Sequence, residues 1–251
     1  MNSYFYDSSI MFKRSIIKTL RSGEAMAMAI IVPIFMMVMF GYVFGGVVDL
    51  GEINYINFIV PGIIVQCVVN AATTTAYNIH TDMTTGIIDR FRSMSISSAA
   101  LLSGHVWVSV LRSVVISIFT TGAAFAIGFR PSAGIIDWLL IFAILFLFIV
   151  AMTWLVVVFG LVAKETESIS GLGFLLMIFV FLSSAFSPTE TLPLVLRVFA
   201  QNQPITHVID ALRALMLGLP VGNMVITAIL WCIGLTICTF LLAVKIYKSK
   251  L

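Results

Sequence analysis

The residue types most often recruited for chemistry are few in this chain and poorly spaced for it. Its three histidines, His80, His105 and His207, stand in different regions with no carboxylate or thiol at ligand spacing, so no metal site is expected. Cys67, Cys232 and Cys238 fall inside apolar runs and form no CxxC pair, which reads as buried thiols rather than a disulfide framework. Neither a P-loop glycine cradle for phosphate nor a GxSxG nucleophile elbow occurs, and no catalytic residue is assigned. What remains are mild polar side chains. Gln66, Asn70, Thr73 and Thr74, with Thr75 and Asn78, follow one another in one apolar run, and Ser183 and Ser184 close another. Any of them, Ser183 and Ser184 included, could line a pathway; taken singly, each reads first as a hydrogen bond between helices, and clustering makes the run around 66–78 the better candidate.

The elements that carry these side chains are membrane spans. Apolar residues make up 61% of the chain and charged residues 10%, against roughly 25% charged in soluble domains. No charge occurs between Glu24 and Asp49, a run that at about 1.5 Å per residue outreaches a hydrocarbon core of about 30 Å. Similar runs recur, and because lipid offers no partner to a free amide, runs of this length must be helices. The expectation is an all-α membrane protein with six transmembrane helices at 25–46, 55–77, 108–129, 138–163, 169–187 and 223–244. They form one membrane domain over 25–244, preceded by residues 1–24 and followed by a tail, 245–251. Within 1–24, Ile10, Phe12, Ile16, Ile17 and Leu20 alternate with Lys13, Arg14, Lys18 and Arg21, the pattern of an amphipathic helix lying at the membrane surface. The polar, basic start gives no cleavable signal.

Charge fixes the expected orientation. With six spans and both termini cytoplasmic, the inner segments hold Lys13, Arg14, Lys18, Arg21, Arg90, Arg92, Lys164, Lys245, Lys248 and Lys250, whereas the outer ones hold only Arg130, Arg197 and Arg213. Arg112 is left within the third span and is expected to snorkel toward the inner surface. The inner segment 78–104 mixes Ile87, Ile88, Phe91 and Met94 with Asp89, Arg90 and Arg92, as in a short helix that docks on a partner. The stretch 188–222 is too apolar for a free loop, yet Arg197, Asp210 and Arg213 exclude a seventh span. Two short helices broken at Gln203 and Pro204, re-entering the outer leaflet, fit it better. Spans without Asp, Glu or Lys at their cores offer no titratable relay for ion-coupled transport, which points to a motor outside this chain.

Four stretches then carry a resemblance to the membrane-spanning subunits of ABC-2 type (type V exporter-like) transporters, in particular the daunorubicin-resistance, DrrB-like permeases. They are Phe40-Gly-Tyr-Val-Phe-Gly-Gly46, the segment 55–62 ending Val60-Pro61-Gly62, Gly86-Ile-Ile-Asp-Arg-Phe-Arg-Ser-Met94, and 186–218 with its Pro188, Pro193, Pro204, Asp210, Arg213 and Gly218. The resemblance implies that Gly86, Ile87, Asp89, Arg90, Phe91 and Met94, beside Lys164 and Glu165, contact an ATP-binding subunit. Ser95 stands where the family often has proline. It further implies two permease subunits, identical or paralogous, working with two ATPase subunits that hold ATP and Mg. The helices of 188–222 would close the exit, in a bacterial or archaeal plasma membrane. The implied cargo is a hydrophobic or amphipathic compound: a drug, an antibiotic, an antimicrobial peptide or a lipid-like molecule. Lipid-linked glycan export by the same machinery, or a stand-alone channel or carrier, are the alternatives. No cofactor on this chain and no nucleic acid are expected.

Overall fold

The computed structural model describes residues 23–46, 53–85 and 98–249, and the architecture among them is wholly helical. Helix α1 (Gly23–Val43) leads to α2 (Tyr55–Thr84), α3 (Ser98–Ile127), α4 (Ile135–Val162) and α5 (Thr166–Phe181). A 3-10 turn (Thr189–Thr191), α6 (Leu194–Asn202), α7 (Pro204–Leu217) and α8 (Met224–Ser249) complete the chain. Five of these helices, α1 to α4 and α8, are long and apolar enough to cross a membrane, while α5 has 16 residues. The expected surface helix before residue 23 and the docking segment 86–94 lie outside the described residues.

Helix α2 is the axis of the bundle. It packs against α1, α3, α4, α5 and α7 and is buried along most of its length. Two glycines set how closely the helices approach. A Cβ on Gly62 would stand 2.6 Å from Ala185 Cα, and one on Gly160 would stand 2.8 Å from the Ala76 carbonyl oxygen, so only glycine fits either place. Gly41 of α1 meets a side chain instead of backbone, its virtual Cβ 3.0 Å from Ile56 Cγ1. Gly41 thus serves packing inside the chain, where small residues let membrane helices meet, while Gly45 lies exposed just beyond α1.

Several helices outrun the apolar windows that announce them. Helix α2 continues through the polar residues Thr81, Asp82 and Thr84, and α3 begins at Ser98, ten residues before its expected span. Polar residues beyond the hydrocarbon boundary cost nothing in a helix, so hydropathy underestimates its length. Where 188–222 was expected to form two short helices, α6 and α7 meet at Gln203, with Pro204 in the first turn of α7. That position suits proline, whose missing amide would have had no helical partner there. Gly218 ends α7 in the left-handed region at φ +64°, and a Cβ there would sit 2.9 Å from Ser132 Oγ. The two helices differ in burial. Almost all of α7 is inside, but Leu194, Val195 and Val198 of α6 lie exposed.

Candidate functional site

At the Tyr55 end of the bundle a buried cation ties three elements together. Arg213 of α7 donates from Nε to the Phe58 carbonyl at 3.1 Å and from Nη1 to Asp210 Oδ1 at 2.8 Å. Its other terminal nitrogen donates to the Ser184 carbonyl. The same guanidinium lies over the Phe58 ring, 3.9 Å from its centroid. Ser184 returns a hydroxyl to Asp210 Oδ1 at 2.5 Å. The sequence dictates where this happens. Gly62 lets the Ala185 backbone close on the first turns of α2, and Phe58 in those turns offers its carbonyl to the donor from α7. Tyr55 adds a hydroxyl bond to the Phe186 carbonyl at 3.0 Å. Ser183 is occupied locally, donating to the Val180 carbonyl at 2.5 Å and accepting from the Ala185 amide at 3.1 Å. Pro188 and Pro193 stand at the starts of the 3-10 turn and of α6. Asp210, Arg213 and Ser184 therefore form one assembly that fastens α7 to α2 and to the end of α5, whereas Pro188, Pro193, Pro204 and Gly218 mark the ends of the 3-10 turn, α6 and α7.

A second polar cluster runs between α2 and α3. His105, Ser109, Arg112, Ser113, Ser117 and Thr120 recur at helical spacing on one face of α3, and all but Arg112 are buried. They meet α2 in order. His105 Nε2 lies 3.1 Å from Asp82 Oδ2, Thr75 donates to Ser109 Oγ at 2.7 Å, and Cys67 Sγ lies 3.6 Å from Thr120 Oγ1. Ser109 also reaches Thr153 of α4 at 3.3 Å. Arg112 does not snorkel as expected: it donates to the Ala71 carbonyl and, at 3.1 Å, to Thr75 Oγ1. Both bonds come from one terminal nitrogen, while the buried Nε of Arg112 has no hydrogen-bond partner among the described residues. Sequence reading missed the seam because it weighed α3 by hydropathy alone. Its signal is the i, i+3, i+4 recurrence of hydroxyl and histidine side chains, an apolar helix with its polarity turned inward.

The expected pathway residues separate into two groups. Gln66 is buried, its Nε2 3.3 Å from Met177 Sδ of α5, and Thr73 packs against Gly173 of α5. Asn70 and Thr74 are exposed, one turn apart, and Tyr77 continues their line. Asn70 is the sixteenth residue of the 30-residue α2, hence midway along it. Lys164 and Glu165 are exposed in the short α4–α5 connection, at the opposite end from Arg213, where α2 ends and α3 begins. The residues expected to dock beside them, Gly86, Ile87, Asp89, Arg90, Phe91 and Met94, lie outside the described residues. Among the described residues, no three of His, Cys, Asp and Glu gather as a metal site would require.

A bundle of membrane-crossing helices, polar between its helices and carrying an exposed polar stripe along α2, has the make-up of a transporter subunit. The family model of ABC-2 type transporters matches residues 7–217, and the chain belongs to that family. It is 30% identical over 230 residues, 88% of this chain and 78% of the relative, to the daunorubicin resistance ABC transporter permease protein DrrB1 of Streptomyces coeruleorubidus. It is 24% identical over 224 residues, covering 88% and 81%, to the probable doxorubicin resistance ABC transporter permease protein DrrC of Mycobacterium tuberculosis. A putative transport permease, ycf38, of Cyanophora paradoxa is 24% identical over 224 residues, covering 86% and 76%.

Proposed function

We propose that this chain is the membrane-spanning subunit of an exporter that moves a hydrophobic or amphipathic compound out of the cell, driven by ATP and Mg on a separate subunit. The observation that carries this reading is the Asn70, Thr74 and Tyr77 stripe, exposed from the middle of α2 toward its Thr84 end. An amide facing lipid inside the hydrocarbon core is costly, so the stripe fits a second permease bundle with a wet path between the two. Two permease and two ATPase subunits form the working complex, in a bacterial or archaeal plasma membrane. Helix α5 supplies the sixth crossing: its 16 residues reach about 24 Å, and the turn after it covers the remainder. Both termini are cytoplasmic, in keeping with the basic residues of 1–24 and 245–251. The ATPase docks on residues 86–94 with Lys164 and Glu165. Helices α6 and α7 re-enter the outer leaflet and close the exit, held by Arg213. The relatives named for daunorubicin and doxorubicin resistance support a drug-like cargo.

Asn70→Leu and Thr74→Val test the stripe. Both side chains are exposed, so stability is expected to change by no more than about 0.5 kcal/mol. ATP-driven export by the complex in sealed vesicles is expected to fall about tenfold, the effect of losing roughly 1.4 kcal/mol on the path. Export at the unaltered rate in the double variant would remove the stripe from the pathway.

A further inference from the structure

Between α3 and α4, toward the Tyr55 end, lies a cleft of about 480 Å³, within the range of small-molecule sites. It follows α3 from Val114 to Phe125, roughly 16 Å at the helical rise, and its floor includes Leu212 and Met216 of α7. Three features distinguish it from a packing fault. Its walls carry Phe125, Trp138, Phe142 and Phe146, with the Phe125 and Trp138 rings 6.3 Å apart and Trp138 and Phe142 6.0 Å apart. Ser117 also lines it, only 3% exposed, and its hydroxyl has no hydrogen-bond partner among the described residues. Finally, Gly122 opens it. Unlike Gly62 and Gly160, this glycine touches nothing, for a Cβ there would meet no atom within 4 Å. Packing within the chain therefore gives no reason for glycine at 122, and its bare backbone forms part of the cleft wall.

We propose that this cleft binds a planar aromatic amphiphile carrying a hydrogen-bonding group, which stacks among the aromatic walls and engages the Ser117 hydroxyl. Rings favour offset or edge contacts with other rings, which an acyl chain cannot supply. A lipid tail would also leave Ser117 unpaired, and a buried hydroxyl gains from a partner. A larger cleft of about 590 Å³ beneath α6 has aromatic walls too, Phe148, Phe179, Phe199 and Trp231, but no waiting polar group: Asn202 there donates to the Val198 carbonyl and Gln203 to that of Phe179. Phe142 and Phe146 are 54% and 42% exposed, so the occupant enters sideways from the bilayer. The floor joins the site to the outer assembly, since Leu212 adjoins Arg213 on α7. That the occupant is cargo rests on the export reading above; that it binds does not.

The test is equilibrium binding of daunorubicin, read by its fluorescence, to the full chain in phospholipid nanodiscs without any ATPase subunit. Saturable binding is expected for the parent chain. Gly122→Phe fills the cleft and should weaken it at least tenfold, and Ser117→Ala should weaken it about three- to tenfold, the worth of one hydrogen bond. Gly171→Phe, placed where a Cβ also meets nothing but outside the cleft, should bind as the parent does. Absent binding, or unchanged binding in both cleft variants, overturns the proposal. So does a phospholipid with a photoreactive chain that labels the cleft and is not displaced by daunorubicin, for the occupant is then lipid. Failure of the export reading would look different: the cleft variants lose the probe as expected, yet the complex with its ATPase never moves it.

Discussion

Arg213→Met is expected to destabilise the bundle by about 3–5 kcal/mol, the cost of stripping one partner from a buried ionic cluster. Methionine fills much of the same volume but cannot donate, so the Phe58 and Ser184 carbonyls lose their donor and Asp210 loses its cation. Asp210→Asn keeps an acceptor for the Ser184 hydroxyl and the two carbonyl bonds of Arg213 but removes the counter-charge of that buried guanidinium, so about 1.5–3 kcal/mol is expected. Arg213→Lys should lie between the two, because an ammonium cannot reproduce the planar fork that serves three partners. Thermal unfolding of the purified variants in detergent gives the order. An Arg213→Met variant as stable as the parent would mean that α7 is held by its apolar face alone.

Gly160→Val is the second large effect, and Gly171→Val is its matched control. The first places a Cβ 2.8 Å from the Ala76 carbonyl oxygen, a backbone atom that cannot step aside, so α4 must move off α2. Overpacking of this kind costs about 3 kcal/mol. The second meets open space and should leave the melting temperature near that of the parent. Both exchanges put the same side chain into an apolar helix, so intrinsic propensity cannot account for a difference. Equal thermal behaviour of the pair would show that the α2–α4 contact does not set the bundle's packing.

Much of this architecture is legible in the residues, because lipid narrows the choices. A charge-free run from Glu24 to Asp49 has one structural solution, and the Gln203-Pro204 break follows from the amide that proline lacks. Helix ends are less legible. Hydropathy reports the hydrocarbon boundary rather than the last helical hydrogen bond, and so α3 begins at Ser98 instead of 108. Least legible are the partners of buried polar groups. Arg112 alone looks like a residue reaching for the membrane surface; only the placement of α2 beside α3 brings the Ala71 carbonyl and Thr75 to it. His105 looks isolated for the same reason, since Asp82 is 23 residues away in sequence and 3.1 Å away in space. Asn70 and Gln66 show the converse: four residues apart and equally polar, they part into exposed and buried only once α5 covers one of them.

The most direct measurement is uphill transport in proteoliposomes that hold this chain alone, its ATP-binding-cassette subunit alone, or both together. A fluorescent amphiphile should accumulate on addition of ATP and Mg only where both proteins are present, and this chain by itself should neither hydrolyse ATP nor build a gradient. Uphill accumulation by the lone chain, or none by the pair despite active hydrolysis, would contradict a permease driven by a separate subunit.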